Sequence, residues 1–205
     1  MTDAKLVEEM TRVAAHGFDL PINQDLFQDV AAHVSGHIVV ELSFQGICQG
    51  FVSVELYPIS SMNVLYIAGM VMEPALQGKG IGQIFAKEAT QVFQKRGILV
   101  DIVAGRTQNP RVAASRRHYV ADKVIYPIDS EPDIVMQEAA SCIQQTLEQD
   151  SQLERGTLIV RNAYRVPRFK IRPLSGDEQI DAFFQKNIGP LDAVYVMGKS
   201  SPSFR

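Results

Sequence analysis

The chain has 205 residues, 46% hydrophobic and 21% charged, with a formal net charge of -3 at pH 7. That length suits one sizeable domain or one domain with an appendage, and the acidic balance argues against a general nucleic-acid binder. No apolar run approaches the roughly 18–20 residues that span a bilayer, and Cys48 and Cys142 are too few and too distant for a disulfide framework or a metal knuckle.

The first residues carry acids where a secretory leader would carry lysines and then an apolar run, so the expected location is the cytoplasm, with no membrane contact. Residues 3–16 have helical spacing, with Leu6, Val7, Met10, Val13 and Ala14 on one apolar face. A loop from Gly17 to Asn23 leads to a short helix around Asp25 to Val34, ended by Ser35-Gly36. The period then changes. His37–Phe44 and Cys48–Leu56 read as strands joined at Gln45-Gly46, an antiparallel hairpin that Tyr57-Pro58 breaks off. Val64–Met72 is a third strand, apolar on both faces apart from Tyr66, as at the centre of a covered sheet.

Pro74 stops that strand, and Gly78–Arg96 has the clearest helical period, through Ile81, Ile84, Phe85, Ala89, Val92 and Phe93. Lys95-Arg96 suit the negative end of its dipole, and Gly97 is a natural stop. Ile98–Ala104 reads as a short buried strand. Asn109-Pro110 supplies an N-cap and a first helical residue for a helix to about Tyr119. Val124–Pro127 reads as a strand and Pro132 to about Gln149 as a helix. Thr157–Tyr164 is a strand, Asp177–Lys186 a helix and Ala193–Gly198 a last strand. The class is α/β (α+β): a mixed, mostly antiparallel central sheet with flanking helices.

Chemistry concentrates in Gln77-Gly78-Lys79-Gly80-Ile81-Gly82, between a buried strand and an amphipathic helix. Glycines at alternate positions let the backbone approach a bulky anion. The free N–H groups of the first helical turn, with the positive end of the dipole, form an anion site. Gln77 and Lys79 can add side-chain donors, and a diphosphate fits. A Walker A loop would follow its lysine with Ser or Thr, where this chain has Gly80. A dinucleotide fingerprint would place glycine where this chain has Gln83.

With its flanks, Met72-Glu73-Pro74-Ala75-Leu76-Gln77-Gly78-Lys79-Gly80-Ile81-Gly82 resembles the coenzyme A-binding motif of the GNAT superfamily of acyltransferases. The element order from about Leu26 to Tyr126 agrees with that fold. The resemblance implies an acetyl-coenzyme A co-substrate, no metal, and a strand whose backbone at Met70, Val71 and Met72 pairs with the pantetheine arm. It matches Asn109 to the family's arm-contacting asparagine, and places Arg111 or Ser115 where they can face the coenzyme.

By the same resemblance, transfer needs a base, N–H groups for the oxyanion, and an acid for the thiolate. The acid is often a tyrosine seven residues after the asparagine. That position is Arg116 here, and Tyr119, three residues later, is the candidate acid; a packed ring at a helix end is the alternative. Glu41, Glu55, Tyr66, His37 and His118 stay open as bases, and Glu73 is expected to face solvent. Arg106, Arg111, Arg116 and Arg117 surround the Asn109 helix, either on coenzyme phosphates or as a solvated face. Arg155, Arg161, Arg165, Arg168, Lys170 and Arg172, interleaved with Tyr164 and Phe169, resemble a nucleic-acid strip that the acidic total outweighs. Cys48 reads as a core residue, and no residues show metal-ligand spacing.

The expected organisation is a single domain over 1–205, with an insertion over 129–190 before the last strand. That insertion is read as a wall of the acceptor pocket, a homodimer surface or a small subdomain. The expected activity is transfer of an acetyl or other acyl group from its coenzyme A thioester to an amine of a small molecule or a protein, by direct attack in a ternary complex. The alternative is a non-catalytic acyl-coenzyme A-binding or regulatory protein of the same fold.

Overall fold

A computed structural model describes residues 4–35, 37–147, 151–164, 167 and 169–201. The expected stop at Gly36, the helix end at Gln149, and Arg165 and Arg168 lie outside the described residues. The chain forms two compact units, one of Met1–Glu55 with Ile67–Arg96 and one of Leu56–Tyr66 with Gly97–Arg205. The elements are α1 (Ala4–Phe18), α2 (Gln24–Val34), β1 (Ile38–Phe44), β2 (Ile47–Ile59), β3 (Met62–Met72), α3 (Ile81–Gln94), β4 (Ile102–Thr107), α4 (Pro110–Arg116), α5 (Ile134–Thr146), β5 (Gln152–Glu154), β6 (Ile159–Arg161), α6 (Glu178–Asn187) and β7 (Ala193–Lys199). Two short 3-10 turns, Pro74–Leu76 and Ala121–Lys123, complete them. The strands follow the order β1-β2-β3-β4-β7-β6-β5, so the sheet is mixed and mostly antiparallel, as expected.

In the first unit, the apolar face of α1 folds onto α2 and the hairpin. Val7, Met10, Val13, Leu26, Val30, Cys48, Phe51 and Val71 form one buried cluster. Asn23 caps α2 by accepting the Leu26 N–H at 2.9 Å. Gln45 and Gly46 both have positive φ (52° and 77°), the geometry that a tight two-residue hairpin needs. The hairpin continues past Tyr57-Pro58 instead of ending there. Pairing with β1 stops at Val54, so Pro58, exposed and lacking an N–H, removes no bond from the β1–β2 ladder.

In the second unit, β3 and β4 run parallel, with Val64, Leu65 and Tyr66 opposite Ile102, Val103 and Ala104. β4 starts later than its apolar run suggests. Asp101 donates its N–H to the Asn63 carbonyl and accepts the Asn63 N–H, both at 2.9 Å, while Leu99 is 59% exposed. Val124–Pro127 forms no strand, only a single bridge in which Tyr126 and Met197 exchange bonds of 2.8 and 3.1 Å. Asp122 and Lys123 at positive φ precede it, and Asp129 occupies both backbone groups of Ile125, so no ladder can propagate.

The strand expected over Thr157–Tyr164 shrinks to Ile159–Arg161, bracketed by Leu158 and Asn162 at positive φ. It pairs with β5, which the sequence analysis did not identify, and both extend the sheet beyond β7. Residues 129–190 thus add two strands to the central sheet. Met136, Ile143, Leu158, Ile180 and Phe184 within this segment are fully buried.

Candidate functional site

Within the first unit, the end of β3 and the turn after it are fastened to α1. Glu73 does not face solvent: Arg12 donates to its carboxylate, and His16 Nδ1 lies 3.0 Å from Glu73 Oε2. The Glu73 N–H donates to the Gln49 carbonyl at 2.8 Å. Gln77 Nε2 donates to the carbonyls of Gly17 (3.0 Å) and Met72 (3.3 Å), so this side chain helps to shape the turn. Gly17 must be glycine here. A Cβ would stand 2.5 Å from Val71 Cγ2 and 2.8 Å from the Met72 carbonyl.

The three glycines of the turn do different work. Gly78 and Gly80 adopt the left-handed region (φ 74° and 77°), and a Cβ at either would meet nothing within 4 Å. Gly82 has ordinary φ but passes close to Met70, whose Sδ would lie 3.3 Å from a Cβ. Gly80 precedes α3 with no side-chain cap, and its carbonyl accepts the Gln83 N–H at 3.0 Å. Among the described residues, no acceptor takes the N–H groups of Gly78, Lys79, Gly80, Ile81 or Gly82. Five consecutive donors therefore face outward at the positive end of a 14-residue helix, beside the exposed Lys79. That arrangement favours an anion with several oxygens. Met70, Val71 and Met72 lie beyond the three residues of β3 that pair with β4.

In the second unit, Asn109 caps α4: its Oδ1 accepts the Arg111 N–H at 3.0 Å, and its own N–H donates to Thr107 Oγ1 at 2.9 Å. Arg111 Nε donates to the Leu174 carbonyl at 2.9 Å. α4 ends at Arg116 rather than near Tyr119, which follows in a tightened turn. Ser115 Oγ donates to the Val112 carbonyl at 2.8 Å and lies 3.2 Å from the Tyr119 hydroxyl. With the serine proton so directed, the phenol is the donor of that second bond. Tyr119 is 1% exposed.

The four arginines separate. Arg117 pairs with Asp129 at 2.7 Å, and Arg106 lies over the Tyr164 ring at 5.8 Å from its centroid. Arg116 is 3% exposed and makes no ion pair among the described residues. Its Nε and Nη1 are buried without a hydrogen-bond partner. Burial pulls its pKa down from the usual arginine value, while Tyr119 and Tyr66 act in the opposite sense.

Among the residues left open as bases, His37 and Glu55 come together, Nε2 to Oε2, at 3.4 Å. Glu41 and His118 are exposed, and Tyr66 packs against Tyr57 and Tyr195 at 6.1 and 6.2 Å between centroids. Cys48 is fully buried, and that burial pushes its thiol up to about 11, which suits a core residue. Among the described residues, no three His, Cys, Asp or Glu side chains are grouped to hold a metal, and no helix is long and apolar enough to cross a membrane.

Comparison with protein families gives one decisive match: the model for the acetyltransferase (GNAT) family covers residues 6–119, more than half of the chain. The chain belongs to the GNAT family. The match takes in both the glycine turn and Tyr119, and β5, β6, α6 and β7 lie outside it. No curated protein matches the chain. Solved structures similar to this GNAT chain include the ribosomal-protein-S18-alanine N-acetyltransferase from Escherichia coli, with 12% identity, a TM-score of 0.47, and coverage of 98% of this chain and 91% of that one. An aminoglycoside 6'-N-acetyltransferase complexed with coenzyme A shares 10% identity at a TM-score of 0.48, covering 98% and 93%. A conserved protein of unknown function from Enterococcus faecalis V583 shares 12% at 0.42; the match covers 52% of this chain and spans only 28% of that one.

Proposed function

We propose that this GNAT chain transfers an acetyl group from acetyl-coenzyme A to an amine of a small molecule or a protein. The observation that carries the reading is the run of outward N–H donors from Gly78 to Gly82, shaped by two left-handed glycines. It suits the coenzyme's diphosphate, with Lys79 adding charge. The backbone of Met70, Val71 and Met72 continues past the β3–β4 pairing and suits strand-like pairing with the pantetheine amides. Asn109, Arg111 and Ser115 are proposed on the coenzyme side of α4.

In the reaction the amine nitrogen attacks the thioester carbonyl and forms the C–N bond, its displaced proton passes to solvent water, the C–S bond breaks, and the sulfur leaves with the electron pair. Tyr119 is proposed to hand its phenolic proton to that sulfur and to regain one from solvent. Its hydroxyl already acts as a donor, toward Ser115. The test pairs two measurements: calorimetric titration with coenzyme A, and thiol release from acetyl-coenzyme A over a broad amine panel. Saturable binding with acceptor-dependent release supports the proposal. Binding with no release above solvent hydrolysis supports the non-catalytic alternative, and absence of binding rejects both.

A further inference from the structure

The proposed reaction leaves Arg116 unused. A guanidinium has five N–H donors, no acceptor, and stays charged at any physiological pH. Such a group is ordinarily buried only against a carboxylate or a set of carbonyl oxygens. Arg117, its neighbour, follows that rule with Asp129, and Arg172 does so with the carbonyls of Phe184, Ile188 and Gly189 at 2.7, 2.8 and 3.0 Å. Arg116 is buried more deeply than either, yet it has neither kind of partner among the described residues.

The side chains that act on it electrostatically are the phenols of Tyr119 and Tyr66, which carry no charge to offset the cation. A planar, singly charged carboxylate matches the guanidinium fork.

We propose that Arg116 forms a subsite for a carboxylate carried by one of the two substrates. The substrate is then either an acyl donor with a terminal carboxylate or an acceptor of amino-acid type. This rests on the acyl-transfer reading above and narrows its substrate class.

Two calorimetric arms on the full chain distinguish the sources. The donor arm compares succinyl-coenzyme A with acetyl-coenzyme A. The acceptor arm, at saturating coenzyme A, compares N-acetyl amino acids with their amides, which have the same shape without the charge. Tenfold or tighter binding of the charged compound on one arm is expected, and Arg116→Met should abolish that preference while coenzyme A itself still binds. Arg116→Lys, which keeps the charge without the fork, should retain part of it. Equal binding of charged and uncharged compounds on both arms by the unmodified protein overturns the subsite, with no dependence on whether a variant folds. A preference that survives in Arg116→Met, folded by circular dichroism, overturns it as well. A chain that binds neither coenzyme A nor acetyl-coenzyme A instead rejects the reading on which the subsite rests.

Discussion

Arg12, in the later half of α1, donates to the carboxylate of Glu73, the residue that opens the turn before Gly78. The same guanidinium donates to the Cys48 carbonyl at 2.6 Å, so one side chain ties α1 to the hairpin and to the turn. Glu73→Gln removes the charge and keeps the shape. We expect a loss of about 1.5–3 kcal/mol in unfolding free energy, the range for a hydrogen bond to a charged group. Coenzyme A affinity should fall about tenfold, equivalent to about 1.4 kcal/mol. Denaturant unfolding and calorimetry read the two effects; unchanged affinity would show that the turn holds its shape without this tie.

Gly80 and Gly46 share a φ of 77° with no atom within 4 Å of a Cβ position, one at the head of α3 and one in the β1–β2 hairpin. Replacing either with a side chain should cost about 1–2 kcal/mol from the left-handed backbone. Only Gly80→Asp sets a carboxylate among the outward N–H groups, so it alone should weaken coenzyme A binding, by 100-fold or more. Equal effects of Gly46→Asp and Gly80→Asp on binding would sink the assignment of this turn.

Tyr119→Phe deletes a hydroxyl 3.2 Å from Ser115 Oγ. Stability should fall by about 1 kcal/mol, as for one ordinary hydrogen bond. If the phenol protonates the departing thiolate, kcat should drop about 100-fold with little change in coenzyme A affinity. A kcat within twofold of the parent would mark Tyr119 as a packing residue.

Asp192 gives a pH signature. Burial alone would raise its pKa, but bonds from Arg161 (2.7 Å), the Asn162 N–H (3.1 Å) and the Gly189 N–H (3.0 Å) outweigh it and hold the carboxyl below the usual range. A depressed folded value means stability that is present above the unfolded pKa, about 3.9 for aspartate, and lost as pH falls through the folded one. Asp192→Asn should therefore be less stable by about 2 kcal/mol at neutral pH. Thermal unfolding followed downward from pH 6 should show the two proteins converging below about pH 4. A constant gap would mean that the asparagine loses packing, not charge.

The helical periods of α1, α2, α3 and α6, their caps and the β1–β2 turn were legible in the sequence, because each is set by contacts a few residues apart. The glycine turn was legible for the same reason. The exceptions arise from distant partners. Pro58 sits within β2 because β1 is already too short to need its N–H. Val124–Pro127 has strand composition, yet Asp129 holds the Ile125 backbone groups that a neighbour would require. Gln152–Glu154 is too short and polar to announce a strand, and it exists because β6 pairs with it. In the candidate site, nothing local revealed that Glu73 would turn toward α1 or that Gln77 would be consumed by two carbonyls. Arg116 was read as the residue seven places after Asn109 and as one of four arginines around its helix; its isolation is a property of the packed unit.

The outward N–H groups from Gly78 to Gly82 have one more consequence, for hydrogen exchange. Amides without an acceptor swap their protons with solvent at close to the rate of an unfolded peptide, even inside an otherwise protected segment. In the free protein this stretch should take up deuterium within the first seconds, next to a slow interior of α3. A ligand that engages those groups would slow them directly, so the turn reports its own occupancy, residue by residue, before any substrate is known.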